Sequence, residues 1–382
     1  MCYNVVIIVQ ERCLVYTNTK TKKKRLSRKT IFFFGSIVLV TIVLITGLIV
    51  ILTADKDLED TIVDMPFGSA SSHYTVGTNI IYTDQELLTC ISPSLNTLWK
   101  LRLFSGGLRF VVNDEIIAAT GQGVIQVIDT QGQHQFSTQL DGDIESARVG
   151  KDMATVYIQQ HLADKTPSYI IVFSLSGEQL FLLDVTDRYV MDYGFDELSD
   201  SLYVLELDVS GSVPISRIST YKPDTQAITM IKELKDQLVS DVYWINDKIY
   251  AIGTTYLTIY GSANSDVKEI MTYGWMLEDV YQTDDPKFIY VPSGNAGTYD
   301  IARVIRTSGS EIKINLPPGV FKILHEGEKI YCFANEKLFV YTGEGKYLRT
   351  YDLPYAIDSV ERAVDDNVLL KHGELISLMP LP

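Results

Sequence analysis

The sequence predicts an all-β protein, an eight-bladed β-propeller preceded by one N-terminal transmembrane helix. Three observations carry that prediction. A polar turn followed by a short β-rich run recurs eight times at the spacing of propeller blades. A strand, a tight polar turn and a second strand follow inside several of those units. Ahead of them stands an apolar stretch of 23 residues, Ile31 to Thr53, without a charge.

The N-terminal segment, residues 1–30, holds eight Lys or Arg (Arg12, Lys20, Lys22, Lys23, Lys24, Arg25, Arg28 and Lys29) against one acid, Glu11. The chain totals −15 and this segment is +7, so the rest carries −22. That balance excludes nucleic acid as a partner, because phosphate contacts need clustered Lys and Arg. A charged fraction of 21% with 10% aromatics excludes a disordered chain. The apolar run at 31–53 extends roughly 34 Å as a helix, enough for a hydrocarbon core of about 30 Å. It is apolar on every face, unlike a core helix with a solvent stripe. It also exceeds the apolar region of a cleaved signal peptide. Basic residues before it and Asp55, Asp57, Glu59, Asp60 and Asp64 after it predict a single-pass anchor with the N-terminus cytoplasmic. Residues 54–59 read as a linker, and 60–382 as an extracytoplasmic domain at the cell membrane.

The repeat occupies that domain. Its first phrase reads GTNIIYT (77–83), NDEIIAAT (113–120), GKDMATVYI (150–158), SDSLYVLE (199–206), NDKIYAIG (246–253), DPKFIYVP (285–292), GEKIYCFA (327–334) and DDNVLLKH (365–372). Successive copies stand 36 to 48 residues apart, with a mean near 41, the length of one four-stranded blade. Seven is the blade count if one unit is misread. The second phrase appears as VIQVIDTQGQHQFSTQL (124–140), YIIVFSLSGEQLFLLDV (169–185) and LFVYTGEGKYLRTYDL (338–353), with Gly132, Gly177 and Gly345 at the turns. The last unit lacks a fourth strand. Residues 60–66, ending Asp64-Met65-Pro66, match the ends of outer strands such as Tyr351-Asp352-Leu353-Pro354. They are therefore expected to pair with the last blade and close the ring. Cys90 and Cys332 fall in strands of non-adjacent blades, so no disulfide is expected between them.

The strand-turn-strand units, with ISPSLNTLWKLRL at 91–103, resemble the WD40-like repeats of quinoprotein-type and outer-membrane-assembly propellers. The chain as a whole resembles a family of single-anchor membrane propeller proteins of clostridial-type Gram-positive bacteria, over about 60–382. The resemblance implies a fold, not an activity. Quinone-dependent enzymes of this type carry an adjacent Cys pair and regular Trp positions. Here the cysteines are isolated and the tryptophans are Trp99, Trp244 and Trp275, so no cofactor is expected.

No catalytic or metal motif stands in the sequence. His73, His134, His161, His325 and His372 lack the close spacing of zinc ligands. One constellation does align across consecutive units: Glu145, Asp192, Asp241 and Asp279, each on the first strand of its blade, where the central channel runs. As a set they would form an acidic arc for a cation; singly, they would cap turns. Loops between second and third strands are long at Gln159 to Ser168, Asp208 to Pro214 and Pro292 to Thr298. A blade-to-blade loop on the same face carries Tyr273-Gly274-Trp275. Trp275 is expected either to stack on a ligand ring or to plug the gap between blades. Together these features predict a non-catalytic, membrane-anchored propeller that binds an envelope protein, peptide or glycan, or scaffolds a membrane complex. The rival readings are a cell-wall glycan or peptide hydrolase using channel carboxylates, and a ligand sensor relaying through a partner.

Overall fold

The computed structural model describes residues 58–84, 87–103, 109–196, 201–261, 267–294 and 297–382. The expected basic segment, the transmembrane helix at 31–53 and the linker up to residue 57 lie outside the described residues. Among the described residues the helix is a short 3-10 turn, Leu58–Thr61, and none is long and apolar enough to cross a membrane.

The strands form eight antiparallel four-stranded sheets, an eight-bladed propeller. Blades 1 to 7 take their strands in chain order from residues 73–102, 109–139, 143–184, 189–235, 239–271, 275–315 and 322–352. Blade 8 takes three strands from 359–380, and its outermost strand is Val63–Gly68, paired antiparallel with Leu375–Pro380. That closing strand runs through Pro66, which an outer edge tolerates because no neighbour needs its missing N–H.

The eight recurring phrases supply the second strand of each blade. Their reference residues Ile80, Ile116, Ala154, Leu202, Ile249, Phe288, Ile330 and Val368 are all buried. This position is sandwiched between neighbouring blades, so it must be apolar on both faces, and this is why the phrase is legible eight times. Burial is organised into eight hydrophobic clusters, one at each junction between neighbouring blades. The junction of blades 8 and 1 includes Met65 and Phe67 of the closing strand, with Phe67 stacked on Tyr82 at 4.7 Å. Non-directional apolar burial of this kind is the main force holding blade to blade.

The predicted turn glycines also fix the packing between blades. Gly132 and Gly177 have φ of 80° and 81°, which an L side chain adopts at a cost. A Cβ on Gly132 would stand 2.7 Å from Trp99 of blade 1, and one on Gly177 would stand 3.0 Å from Phe136 of blade 2. Each bare turn therefore lies directly on an aromatic ring of the preceding blade. Trp99 adds a hydrogen bond from its indole N–H to Thr130 O at 2.9 Å. Cys90 in blade 1 and Cys332 in blade 7 are buried free thiols. Burial pushes the Cys90 thiol up to about 11.

Candidate functional site

The four aligned acids lie on the innermost strands of blades 3 to 6: Asp143–Val149, Tyr189–Asp196, Val239–Ile245 and Trp275–Tyr281. Each of these strands carries a bulge, one extra residue between Ile144 and Ser146, Val190 and Asp192, Val239 and Asp241, and Leu277 and Asp279. Asp192, Asp241 and Asp279 follow the bulge and share one structural position. Glu145 does not share it. It is the bulged residue itself, with Glu278 as its counterpart, and Ser146 occupies the place of the aspartates. A bulge re-aims the side chains around it, so a shift of one residue separates Glu145 from the arc.

Two of the three aspartates are committed to arginines. Asp192 accepts from Arg148 at 3.1 Å and from the Tyr203 hydroxyl at 2.8 Å. Asp279, 9% exposed, accepts from the backbone N–H of His325 at 2.8 Å and from Arg362 at 2.7 Å. Arg362 belongs to the innermost strand of blade 8, so this bond reaches past blade 7, where it also engages Glu326 and donates to His325 O at 2.7 Å. Glu278 pairs with Lys322 at 3.0 Å and accepts from the Tyr299 hydroxyl at 2.9 Å. Asp241 differs: it is exposed, and it accepts from the neighbouring Ser240 hydroxyl at 2.6 Å. The three aspartates still act together on Tyr243. Burial, then the charges of Asp241, Asp279 and Asp192, push that phenol up to about 12.

Between blades 5 and 6 lies a cavity of about 200 Å³ whose walls include Asp241, Trp275, Met276 and Tyr290. Trp275 packs against the cluster between those blades, the gap-filling role expected of it, and also lines the cavity. The Arg303 guanidinium, itself paired with Glu311, lies over the indole at 5.0 Å. A wider groove of about 840 Å³ runs over blade 4, where Arg188 and Arg217 flank Tyr189, Val209, Ile228 and Ile231. Arg188 bonds to Glu206 at 2.8 Å, and Arg217 to Glu233 at 3.0 Å.

The two ends of the ring differ in exposed apolar surface. In an antiparallel blade, the loops from strand two to three and from blade to blade emerge at the same end. At that end, in blades 3 to 6, Leu162, Tyr189, Val209, Val213, Tyr273 and Met276 are exposed, Tyr189 by 65% and Tyr273 by 75%. The other exposed large apolar residues sit mainly on outermost strands, such as Leu98, Ile228 and Val267. Long loops and exposed apolar side chains therefore share one sector of one face. Sequence reading found the sector through loop length and through Trp275. It missed Tyr273, which stands in the same motif, and Tyr290, which looks like any other strand residue in DPKFIYVP.

The fold is that of solved β-propellers. BamB from Moraxella catarrhalis superposes with a TM-score of 0.54 at 9% identity, covering 84% of this chain and 96% of that one. The computationally designed Ika8 protein gives 0.55 at 11% identity, over 84% and 99%. The WD40 domain of SCAP from fission yeast gives 0.52 at 8% identity, over 84% and 97%. At such identities the likeness is one of fold. No protein-family model matches the chain, and no curated protein does.

Proposed function

We propose that this chain is a non-catalytic propeller, anchored in the cell membrane by residues 31–53 and displayed outside it, that binds a protein of the envelope or scaffolds a membrane complex. The observation that carries the reading is the sector of blades 3 to 6, where Tyr189, Val209, Tyr273 and Met276 stand exposed at one end of a rigid ring. Loops carried on a rigid scaffold are where binding residues tend to lie, and Tyr is enriched at protein contacts. The uncharged 23-residue run and the basic block before it support the anchor and its direction, as does the resemblance to single-anchor propellers. The hydrolase reading is left with fewer acids than the alignment offered, Asp241 being the aspartate of the three that stands exposed. Asp192 and Asp279 are paired with Arg148 and Arg362, which favours a structural role for both.

The test is crosslinking of the tagged full-length protein in cells, with mass spectrometry of what is captured. A variant with the 159–168 and 292–298 loops shortened serves as control. A partner captured by the parent and lost from the variant is the expected result; identical capture by both overturns the assignment of the face. Topology is read separately with a membrane-impermeant thiol reagent. Glu115→Cys, on an exposed turn, should react in intact cells. No reaction there, with reaction after lysis, overturns the external placement.

A further inference from the structure

Resting on the reading of the ring as a binding scaffold, we propose that the groove over blade 4 seats an extended segment of the partner protein, about six residues long, that combines apolar side chains with Lys or Arg. The groove exists because neighbouring blades differ in length. Blade 3 is built from strands of seven, seven, seven and six residues, blade 4 from strands of eight, eight, eight and nine. Blade 3 covers one face of blade 4 at Leu202, Val204 and Tyr221, with the rings of Phe181 and Tyr221 5.5 Å apart. That face continues past the contact. Side chains alternate across a strand, so Glu206 and Asp208 share it with Leu202 and Val204, and Arg217 and Ser219 share it with Tyr221. On the outermost strand Ile228, Ile231 and Glu233 stand opposite Tyr221, Ser219 and Arg217. The connector from Asp187 to Tyr189 forms a further wall.

Length, apolar surface and charge each fit that occupant. From the rung of Asp208 to that of Tyr221 the third strand advances six residues, about 20 Å, the length of an extended hexapeptide. A volume of about 840 Å³ falls within the range of sites that enclose a ligand. Tyr189, Val209, Ile228 and Ile231 all line the groove and are each more than half exposed, so a partner's apolar side chains remove them from water. The charged lining is four acids against two arginines, a net −2. Arg188 pairs with Glu206 at 2.8 Å, and Arg217 is shared between Glu233 at 3.0 Å and Asp208 at 3.8 Å. Asp187 is exposed and in no ion pair among the described residues. The charge of −22 outside the N-terminal segment has the same sign, so a basic segment is attracted, and an acidic segment or a phosphate headgroup is repelled. Tyr189 and Val209 belong to the exposed sector of blades 3 to 6, so a partner seated on that sector reaches the groove with one stretch of its chain.

The experiment presents a phage-displayed library of random hexapeptides to the full-length protein in detergent micelles. Selected peptides are expected to combine Lys or Arg with apolar residues and to be depleted of Asp and Glu. A synthetic peptide of the commonest selected sequence is then titrated by fluorescence anisotropy. Ile231→Lys should weaken its binding about tenfold or more, because an apolar anchor is lost and a like charge faces the peptide. Asp187→Lys should weaken it about two- to tenfold, with the loss shrinking at high salt. Both positions are exposed, so these variants leave the core in place. Leu98→Lys, equally exposed on the outermost strand of blade 1, should keep the parental affinity. No enrichment, enrichment of acidic peptides, parental affinity in Ile231→Lys, or an equal loss in Leu98→Lys overturns the proposal. Concentration-dependent dimerisation abolished by Ile231→Lys also overturns it, by assigning the groove to a second copy of the chain. A partner captured equally in cells by the parent and by Ile231→Lys refutes this inference and leaves the scaffold reading standing.

Discussion

Replacing Arg362 with Met tests whether the channel acids of blades 6 to 8 are structural ties. Arg362 donates to Asp279 at 2.7 Å and to His325 O at 2.7 Å, and pairs with Glu326. Without it Asp279, 9% exposed, retains one described donor, the His325 backbone N–H. Stripping a partner from a buried charge costs about 3–5 kcal/mol. Arg362 is 36% exposed and Glu326 25%, so water replaces part of the interaction and the expected cost falls to about 2–3 kcal/mol. Asp279→Asn leaves Arg362 with Glu326 and water, and should cost only about 1 kcal/mol. The double variant should be more stable than the sum of the singles predicts, by about 1 kcal/mol or more. The assay is reversible urea unfolding of the full-length protein, followed by tryptophan fluorescence. An Arg362→Met protein within about 0.5 kcal/mol of the parent, or strictly additive singles, would refute the reasoning.

Four further outcomes follow from the same geometry. Gly132→Ala should destabilise by about 2–4 kcal/mol, combining a left-handed φ with a Cβ forced against Trp99, and calorimetry should show a lowered Tm. Burial, with Lys287 and Arg362 nearby, depresses His325 to about 4, and its Nε2 accepts from Lys287 at 3.3 Å. A depressed histidine stabilises above the unfolded value near 6.5 and loses that contribution as pH falls towards 4, up to about 3 kcal/mol; His325→Phe should flatten the stability profile across that window. His73 has the opposite sign. Glu361 raises it, so its contribution is full below about pH 6.5 and is lost as pH rises through its folded value; His73→Gln should remove that component. Finally, Ser377→Ala breaks a buried link in which Ser377 donates to Asp64 of the closing strand at 2.7 Å beside His372 at 2.8 Å, and should cost about 1–3 kcal/mol in unfolding experiments.

The ring was readable because one strand in each blade must be apolar on both faces, and that demand repeats eight times in composition. Spacings of 48 and 47 residues around Leu202 also made sense once the 160–167 loop and the long strands Ile215–Lys222 and Ala227–Lys235 of blade 4 were in view. The closing strand was legible from its Asp64-Met65-Pro66 ending. Its frame was not, since the chain makes a 3-10 turn at Leu58–Thr61 and pairs from Val63 through Pro66 to Gly68. The acidic arc was half legible. A bulge adds a residue without leaving a compositional mark, so Glu145 aligned with aspartates whose structural place belongs to Ser146. The arginines were invisible for another reason: Arg362 and Asp279 are 83 residues and two blades apart, and the packing of blades 6, 7 and 8 around the channel brings them together. Tyr290 reads as core, and what distinguishes it is a missing partner, which no sequence pattern records.

The central claim is that blades 3 to 6 present a partner-binding face at one end of the ring. The most direct measurement is site-specific photocrosslinking in cells, with the crosslinker placed at Tyr273 in one strain and at Glu115, on a strand-one-to-two turn at the opposite end, in another. The account predicts one discrete protein adduct from position 273 and none from position 115. The same adduct from both positions, or from 115 alone, would contradict it.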